Sequence, residues 1–164
     1  MNTNDVYTLE DRGILYVHGE DVVEYLQNIV TNDINKVTDN MSCFASLLTP
    51  QGKYLFDFII IKHKKGYFID CEKTQIDQLY KQLQIYKLRS KIEILNLSNE
   101  FVVAAFSYEK FLSIEGVKDE LGYTVKYNED HVFLDPRNKK LGGRIIANLE
   151  KLYMSLKKNE TKIL

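Results

Sequence analysis

The chain has no tryptophan, two prolines, two cysteines and no long apolar run, and each shortage removes a class of protein. A membrane-spanning helix needs roughly 18 or more consecutive apolar residues, and no stretch here approaches that. The N-terminus lacks the basic-then-apolar pattern of a secretory signal, so no membrane association is expected and the expected compartment is the cytoplasm. Cys43 and Cys71 each sit inside an apolar run. They form no C-x-x-C and have no histidine at metal spacing, so they read as buried thiols and offer no metal site. His18, His63 and His131 fall in unrelated segments and suggest no ligand pair. Lys plus Arg number 22 against 23 Asp plus Glu, for a net charge of −1, which leaves no basic excess to attract nucleic acid. The short run Lys62-His63-Lys64-Lys65-Gly66 lies between two strand-like segments and reads as a solvated hairpin tip.

What is present suits a folded domain. At 164 residues and 45% apolar content the chain can bury one core, or two small units sharing one. Gly13 to Val17 reads as a strand. A helix follows from Gly19 to about Ile29, with Glu20 and Asp21 in its first turn and Val22, Val23, Leu26 and Ile29 on its apolar stripe. Strands are expected over 43–48, 54–62 and 67–71, then a helix from residue 73 or 74 to 86 and a strand over 91–97. Strand, helix, strands, helix, strand describes an α+β unit of antiparallel sheet with helices on one face, a ferredoxin-like split βαβ. After Asn99 a similar pattern starts: a strand over 101–106, a short helix over 108–114, strands near 123–127, 132–134 and 143–147. An amphipathic helix carrying Leu149, Leu152, Tyr153 and Leu156 should follow. The expected organisation is a first unit over 1–98 and an incomplete second over 99–164.

The most informative stretch is Leu47 to Ile61. Pro50 and Gly52 turn the chain between two apolar runs, and the second run carries one acid, Asp57, between Phe56 and Phe58. Period-2 alternation puts Leu55, Asp57 and Ile59 on one face. A carboxylate among apolar neighbours is costly unless something hydrogen-bonds to it. Asp57 is therefore either a wet strand-end acid or the lining of a pocket awaiting a ligand with N–H groups. Tyr54 and Phe58 are either core or a stacking surface for a ring. Arg89, after the second helix, is either a cation answering the helix dipole or a partner for a ligand carboxylate.

Five short runs occur in a specific order: Leu9-Glu10-Asp11-Arg12-Gly13 with Val17-His18-Gly19-Glu20-Asp21; Tyr25-Leu26-Gln27 with Thr31-Asn32-Asp33; Leu47 to Lys53 with Asp57; Tyr86-Lys87-Leu88-Arg89-Ser90-Lys91; and Asp135-Pro136-Arg137 with Leu141-Gly142 and Arg144. Together they resemble the YgfZ-type folate-binding proteins, relatives of the glycine-cleavage T-protein (aminomethyltransferase). The resemblance covers nearly the whole chain but about the N-terminal half of such a protein.

The resemblance implies a tetrahydrofolate-binding fold whose members assist assembly or repair of iron–sulfur clusters, so the partners implied are folate and iron–sulfur enzymes or assembly proteins. It places Asp57 where the T-protein keeps the acid facing the reactive folate nitrogens. It places Asp70 near a T-protein asparagine that contacts the cofactor; Arg89, in its reading as a partner for a ligand carboxylate, would meet one such as the glutamate tail of folate. The cofactor-binding set is thus Asp57, Asp70, Tyr54 and Arg89, with no catalytic residue assigned. The neighbour of Asp57 is Phe56 where the T-protein has a second acid, which argues against aminomethyl transfer. A folate-dependent transferase or demethylase, and a scaffold that binds nothing, are the alternatives. The family's lysine-glycine-cysteine-tyrosine-x-glycine-glutamine run is absent, so the chain is expected to stop before it, as a cut or split product. A monomer is expected at full length, and poor solubility or a dimer from a fragment with its apolar face bared.

Overall fold

The computed structural model describes residues 6–151. Two five-stranded antiparallel sheets stack face to face, with helices on their outer sides. The first sheet contains β2 (Arg12–His18), β3 (Cys43–Leu48), β4 (Tyr54–His63), β5 (Gly66–Glu72) and β6 (Glu93–Asn96), in the order β3-β4-β5-β2-β6. The second contains β1 (Val6–Thr8), β7 (Phe101–Phe106), β8 (Thr124–Tyr127), β9 (Asp130–Leu134) and β10 (Gly143–Asn148), in the order β1-β7-β10-β9-β8.

The split βαβ is present. Strands β2 and β4 run parallel with β5 between them, and β6 flanks β2. β3 adds an edge strand beside β4. The second sheet repeats the connectivity: β7 leads through a helix into the meander β8-β9-β10, and β10 returns beside β7. The position that β6 holds in the first sheet is taken in the second by β1, so residues 6–8 of the first span belong to the second sheet. That exposed three-residue strand was not expected from the sequence, which offers no alternation there. Residues 149–151 start a helical turn after β10. Leu152, Tyr153 and Leu156 of the expected final helix lie outside the described residues.

α1 (Val22–Ile29) and α2 (Ile76–Lys87) pack on the same face of the first sheet, as their apolar stripes require. Phe58 and Ile60 of β4 reach up to Leu26, Leu79 and Leu83. The opposite face supplies Ile14, Ile59, Ile61 and Phe68 to a second core, closed by Val103, Phe133 and Ile146 from the other sheet. α3 (Tyr108–Leu112) covers the outer face of the second sheet through Phe111. Period-2 alternation explains both cores: successive residues of β4 face helices and sheet in turn.

Helix α1 begins at Val22, later than the sequence suggested. Gly19 has φ +134°, and a Cβ there would sit 2.4 Å from the Lys91 carbonyl oxygen, so this glycine allows the close approach of Lys91 and Ile92, just before β6, and does not open a helix. The Thr31-Asn32-Asp33 run closes the helix onto edge strand β3. The Thr31 hydroxyl accepts from the Ser46 N–H at 2.9 Å and the Asn32 amide donates to the Phe44 carbonyl at 3.0 Å.

Gly122 performs the tightest turn beside β8. Its φ is +82°, and an added Cβ would lie 2.1 Å from the Ser42 carbonyl oxygen. The Ser42 N–H donates to the Gly122 carbonyl at 2.8 Å, so the backbone cannot withdraw without losing that bond. Gly122→Ala should cost about 1–3 kcal/mol, read as a lower urea midpoint with an unchanged slope.

Candidate functional site

A buried ionic network occupies one end of the seam between the sheets. β2 and β5 are paired so that Arg12 and Asp70 come together on the inner face. Arg12 Nε donates to Asp70 Oδ1 at 2.8 Å, and its Nη2 donates to the Asp70 carbonyl at 2.9 Å. From the other sheet comes Arg144 of β10, with Nη1 3.7 Å from Asp70 Oδ2 and Nε 3.2 Å from Asp135 Oδ2. Neither contact has hydrogen-bond geometry, so Asp70 Oδ2 and both Arg144 nitrogens are buried without a partner. Asp135 is instead engaged by Arg137, with Nε on Oδ1 at 3.0 Å and Nη2 on Oδ2 at 2.7 Å. Pro136 joins those two residues in a turn in which the Arg137 N–H also donates to Asp135 Oδ1, at 2.9 Å.

The electrostatics follow from burial. Asp70 is fully buried, and desolvation pushes its carboxyl up against the pull of Arg12 and Arg144. Burial also acts upward on Asp135, but the Arg137 hydrogen bonds and the Arg144 charge outweigh it and hold that carboxyl below the usual range. Desolvation lowers the Arg144 guanidinium, opposed by Asp70 and Asp135. Arg12, Arg137 and Arg144 face two buried carboxylates, and the third acid in their field is Asp57.

Asp57 sits half-buried on the same face of the first sheet as Asp70 of this network. It pairs with Ser46 across β3 and β4 and shares the inner face with Ile59 and Asp70. Its charge acts on Arg137. Leu55 does not share that face: a β-bulge opposite Leu47 and Leu48 leaves it as the extra residue, and it packs against the helix-side core. The bulge has a consequence for Tyr54. Three positions from Asp57, regular alternation would send it to the other face, but one extra residue returns it to Asp57's side. Partial desolvation, then a hydrogen bond to the Asp57 carboxylate, raises the Tyr54 phenol. Arg137 Cζ lies 6.0 Å from the centre of the Phe44 ring.

The four residues singled out in the sequence are thus not one constellation. Asp57 and Tyr54 lie together on that inner face. Asp70 is on the same face but is consumed by Arg12 and Arg144. Arg89 is exposed after α2, which packs on the opposite face of the sheet. Phe58 is core, fully buried on the helix side. Sequence reasoning missed Arg12, Arg137 and Arg144 as members of this network. Their signal was their occurrence in the resemblance-bearing runs around Gly13 and Asp135. A cavity of about 390 Å³ lies elsewhere, lined by Ile29, Val30, Leu48, Pro50 and Tyr86; it does not include Asp57. Among the described residues no group of three or more His, Cys, Asp or Glu could hold a metal ion, and no helix is long and apolar enough to cross a membrane.

No protein-family profile matches the chain. It is 26% identical over 168 residues to the mitochondrial iron–sulfur cluster assembly factor IBA57 homolog of Dictyostelium discoideum, covering 87% of this chain and 41% of that protein. It is also 26% identical over 143 residues to an aminomethyltransferase of Thermoanaerobacter pseudethanolicus, covering 87% of this chain and 38% of the relative. Among solved structures, the glycine cleavage system aminomethyltransferase T from Bartonella henselae superposes with a TM-score of 0.73 at 13% identity, over 93% of this chain and 44% of that one. The chain therefore spans about two-fifths of the length of the curated relatives it matches, and its fold is that of the aminomethyltransferase.

Proposed function

Starting from a chain that is a relative of both the aminomethyltransferases and the iron–sulfur assembly factors, we propose that it is a tetrahydrofolate-binding protein assisting iron–sulfur cluster assembly or repair in other enzymes. The observation that carries the reading is Asp57, a half-buried acid whose charge reaches Arg137 of the arginine–carboxylate network, beside Tyr54. The donor set fits the cofactor. An ionised carboxylate accepts hydrogen bonds only, and reduced folate presents N–H groups. Tyr54 offers an exposed phenol and ring beside it. Bound tetrahydrofolate would supply nitrogens able to carry a one-carbon unit. Asp57 would orient those nitrogens, while Asp70 holds Arg12 and Arg144 in place behind it and Arg89 takes no part.

A one-carbon transferase is the second reading, favoured by the T-protein likeness. The site speaks against rapid transfer: Phe56, next to Asp57, is buried in the helix-side core, so a second acid does not stand there. The cytoplasm is the compartment proposed, although the assembly-factor relatives carry mitochondrial names. A monomeric intact protein, with a fragment that dimerises through exposed apolar residues such as Ile85 and Leu88, belongs to the same proposal.

The test is a calorimetric titration of tetrahydrofolate into the intact protein and its Asp57→Ala and Asp57→Asn variants, with thermal melts to confirm folding. A hydrogen bond to a charged group is worth about 1.5–3 kcal/mol, so Asp57→Ala should weaken binding roughly tenfold to a hundredfold. Asp57→Asn should lose less if hydrogen bonding outweighs charge. Equal affinity in all three removes Asp57 from the site. No binding by the wild type leaves the scaffold reading.

A further inference from the structure

The ionic network uses one end of the seam between the sheets, and the other end gathers all three histidines of the chain. His63 closes β4 in the first sheet and His131 lies in β9 of the second. They meet across the seam with His63 Nδ1 2.8 Å from His131 Nε2. Their setting is aromatic. His63 stacks on Phe68 with centres 4.2 Å apart and meets the edges of Tyr16 at 5.4 Å and Phe101 at 6.0 Å. The Tyr16 hydroxyl donates to the His63 carbonyl at 3.1 Å, and His18 stacks on the other side of Tyr16.

A contact between two imidazole nitrogens needs one N–H and one lone pair. A neutral pair in complementary tautomers supplies both, and so does a pair sharing a single proton. Once both rings are protonated, two N–H groups point at each other and the contact becomes repulsive. We propose that the His63–His131 pair is a proton-operated latch between the two sheets, closed while it holds at most one added proton and forced open by the second.

The surroundings set the direction of its response. From the β4–β5 turn Lys64 faces His63, and from β8 Lys126 faces both rings; both disfavour protonation. Asp39, from the loop before β3, favours it at His131. From β2 come Tyr16 and His18, the latter with Nε2 3.3 Å from Glu93 of β6. Lys62 of β4 lies over the Tyr67 ring. β5 and β7 contribute only Phe68 and Phe101. Burial, then the partner ring and the lysines, lowers His63 from 6.5 to about 4. Burial, then Lys126, lowers His131 as well.

The unfolded chain therefore takes up protons near pH 6.5 that the folded chain refuses, His63 until about pH 4 and His131 until below its ordinary value. Stability from the latch is complete above 6.5 and is lost as pH falls through that window, by at most tenfold in the folding constant per pH unit and histidine. His63 is half-exposed, so solvent screening reduces the total to roughly tenfold to a hundredfold.

The experiment is an NMR titration of the imidazole resonances of the intact protein, with amide exchange of β4 and β9 followed on the same samples. Expected are titrations of His63 well below and of His131 below the ordinary histidine range, coupled to each other, with exchange at the seam accelerating as the second proton binds. Urea unfolding of wild type and His131→Phe between pH 7 and pH 4 is the companion measurement, and the variant should lose about tenfold or more of the acid dependence. Titration of either ring at its ordinary value with an unchanged seam overturns the proposal, as does a folded His131→Phe that keeps the full acid dependence. If that variant does not fold, the wild-type titration alone decides. None of these outcomes depends on folate binding.

Discussion

Asp70→Ala should destabilise the fold by about 3–5 kcal/mol, the usual cost of removing one partner from a buried ion pair. The loss is large because of what is left behind. Arg12 and Arg144 are each about nine-tenths buried at the side chain, and Arg144 already has two nitrogens without a hydrogen bond. Without Asp70, three guanidinium groups would share one buried carboxylate, Asp135, and the half-buried Asp57. Desolvation costs several kcal/mol per ion, so a solvent-exposed pair would be a poor guide to this change. Asp70→Asn should cost clearly less, since its amide oxygen can still accept from Arg12 Nε. For a chain of this size each kcal/mol moves the midpoint by about 2–4 °C. The alanine variant should therefore melt roughly 6–20 °C below wild type. A shift equivalent to under about 1 kcal/mol would mean that both arginines reach solvent, and that the network does not hold the sheets.

That network also shows which parts of the molecule could be read from the sequence. The strands over 43–48 and 101–106 were legible to the residue, because each is a compact apolar run bounded by turn residues. The two long helices and their common face followed from helical spacing. Asp57 was rightly placed on the face of Ile59, yet Leu55 was assigned there too, since a single-residue bulge leaves no mark in an apolar run. Tyr54 reaches Asp57 through that same bulge. What periodicity cannot carry is proximity between sheets. Arg144 meets Asp70, and His131 meets His63, because two separately formed sheets stack; the spacing of these residues along the chain holds no trace of it. Hence three histidines in unrelated segments turned out to share one end of the seam. Arg89 illustrates the reverse case, since its family-like context said nothing about which side of the sheet α2 covers.

Phe68→Ala should cost as much as Asp70→Ala, about 3–5 kcal/mol, but for a different reason and with a different signature. Phe68 is fully buried at the middle of the seam, two residues from Asp70 on the same face of β5. It touches Phe101 across the seam at 4.9 Å and supports His63 from below at 4.2 Å. Truncation removes the ring's transfer free energy and leaves a cavity that two hydrogen-bonded sheets cannot easily close. Phe68→Leu, which keeps most of the volume, should cost well under half as much. The charge variant should respond to ionic strength and the cavity variant should not, because no charge is unpaired by losing a phenyl ring. Phe68→Ala should also raise the His63 pKa toward its ordinary value, since water admitted beside the ring relieves the desolvation that lowers it. Urea unfolding at low and high salt, with the imidazole titration repeated on the variant, checks all three statements. A salt-dependent loss would show that the damage had spread along β5 to the arginines. In that event the apolar and ionic ends of the seam act as one unit, and a Phe68–Asp70 double-mutant cycle should give a coupling of about 0.5–3 kcal/mol.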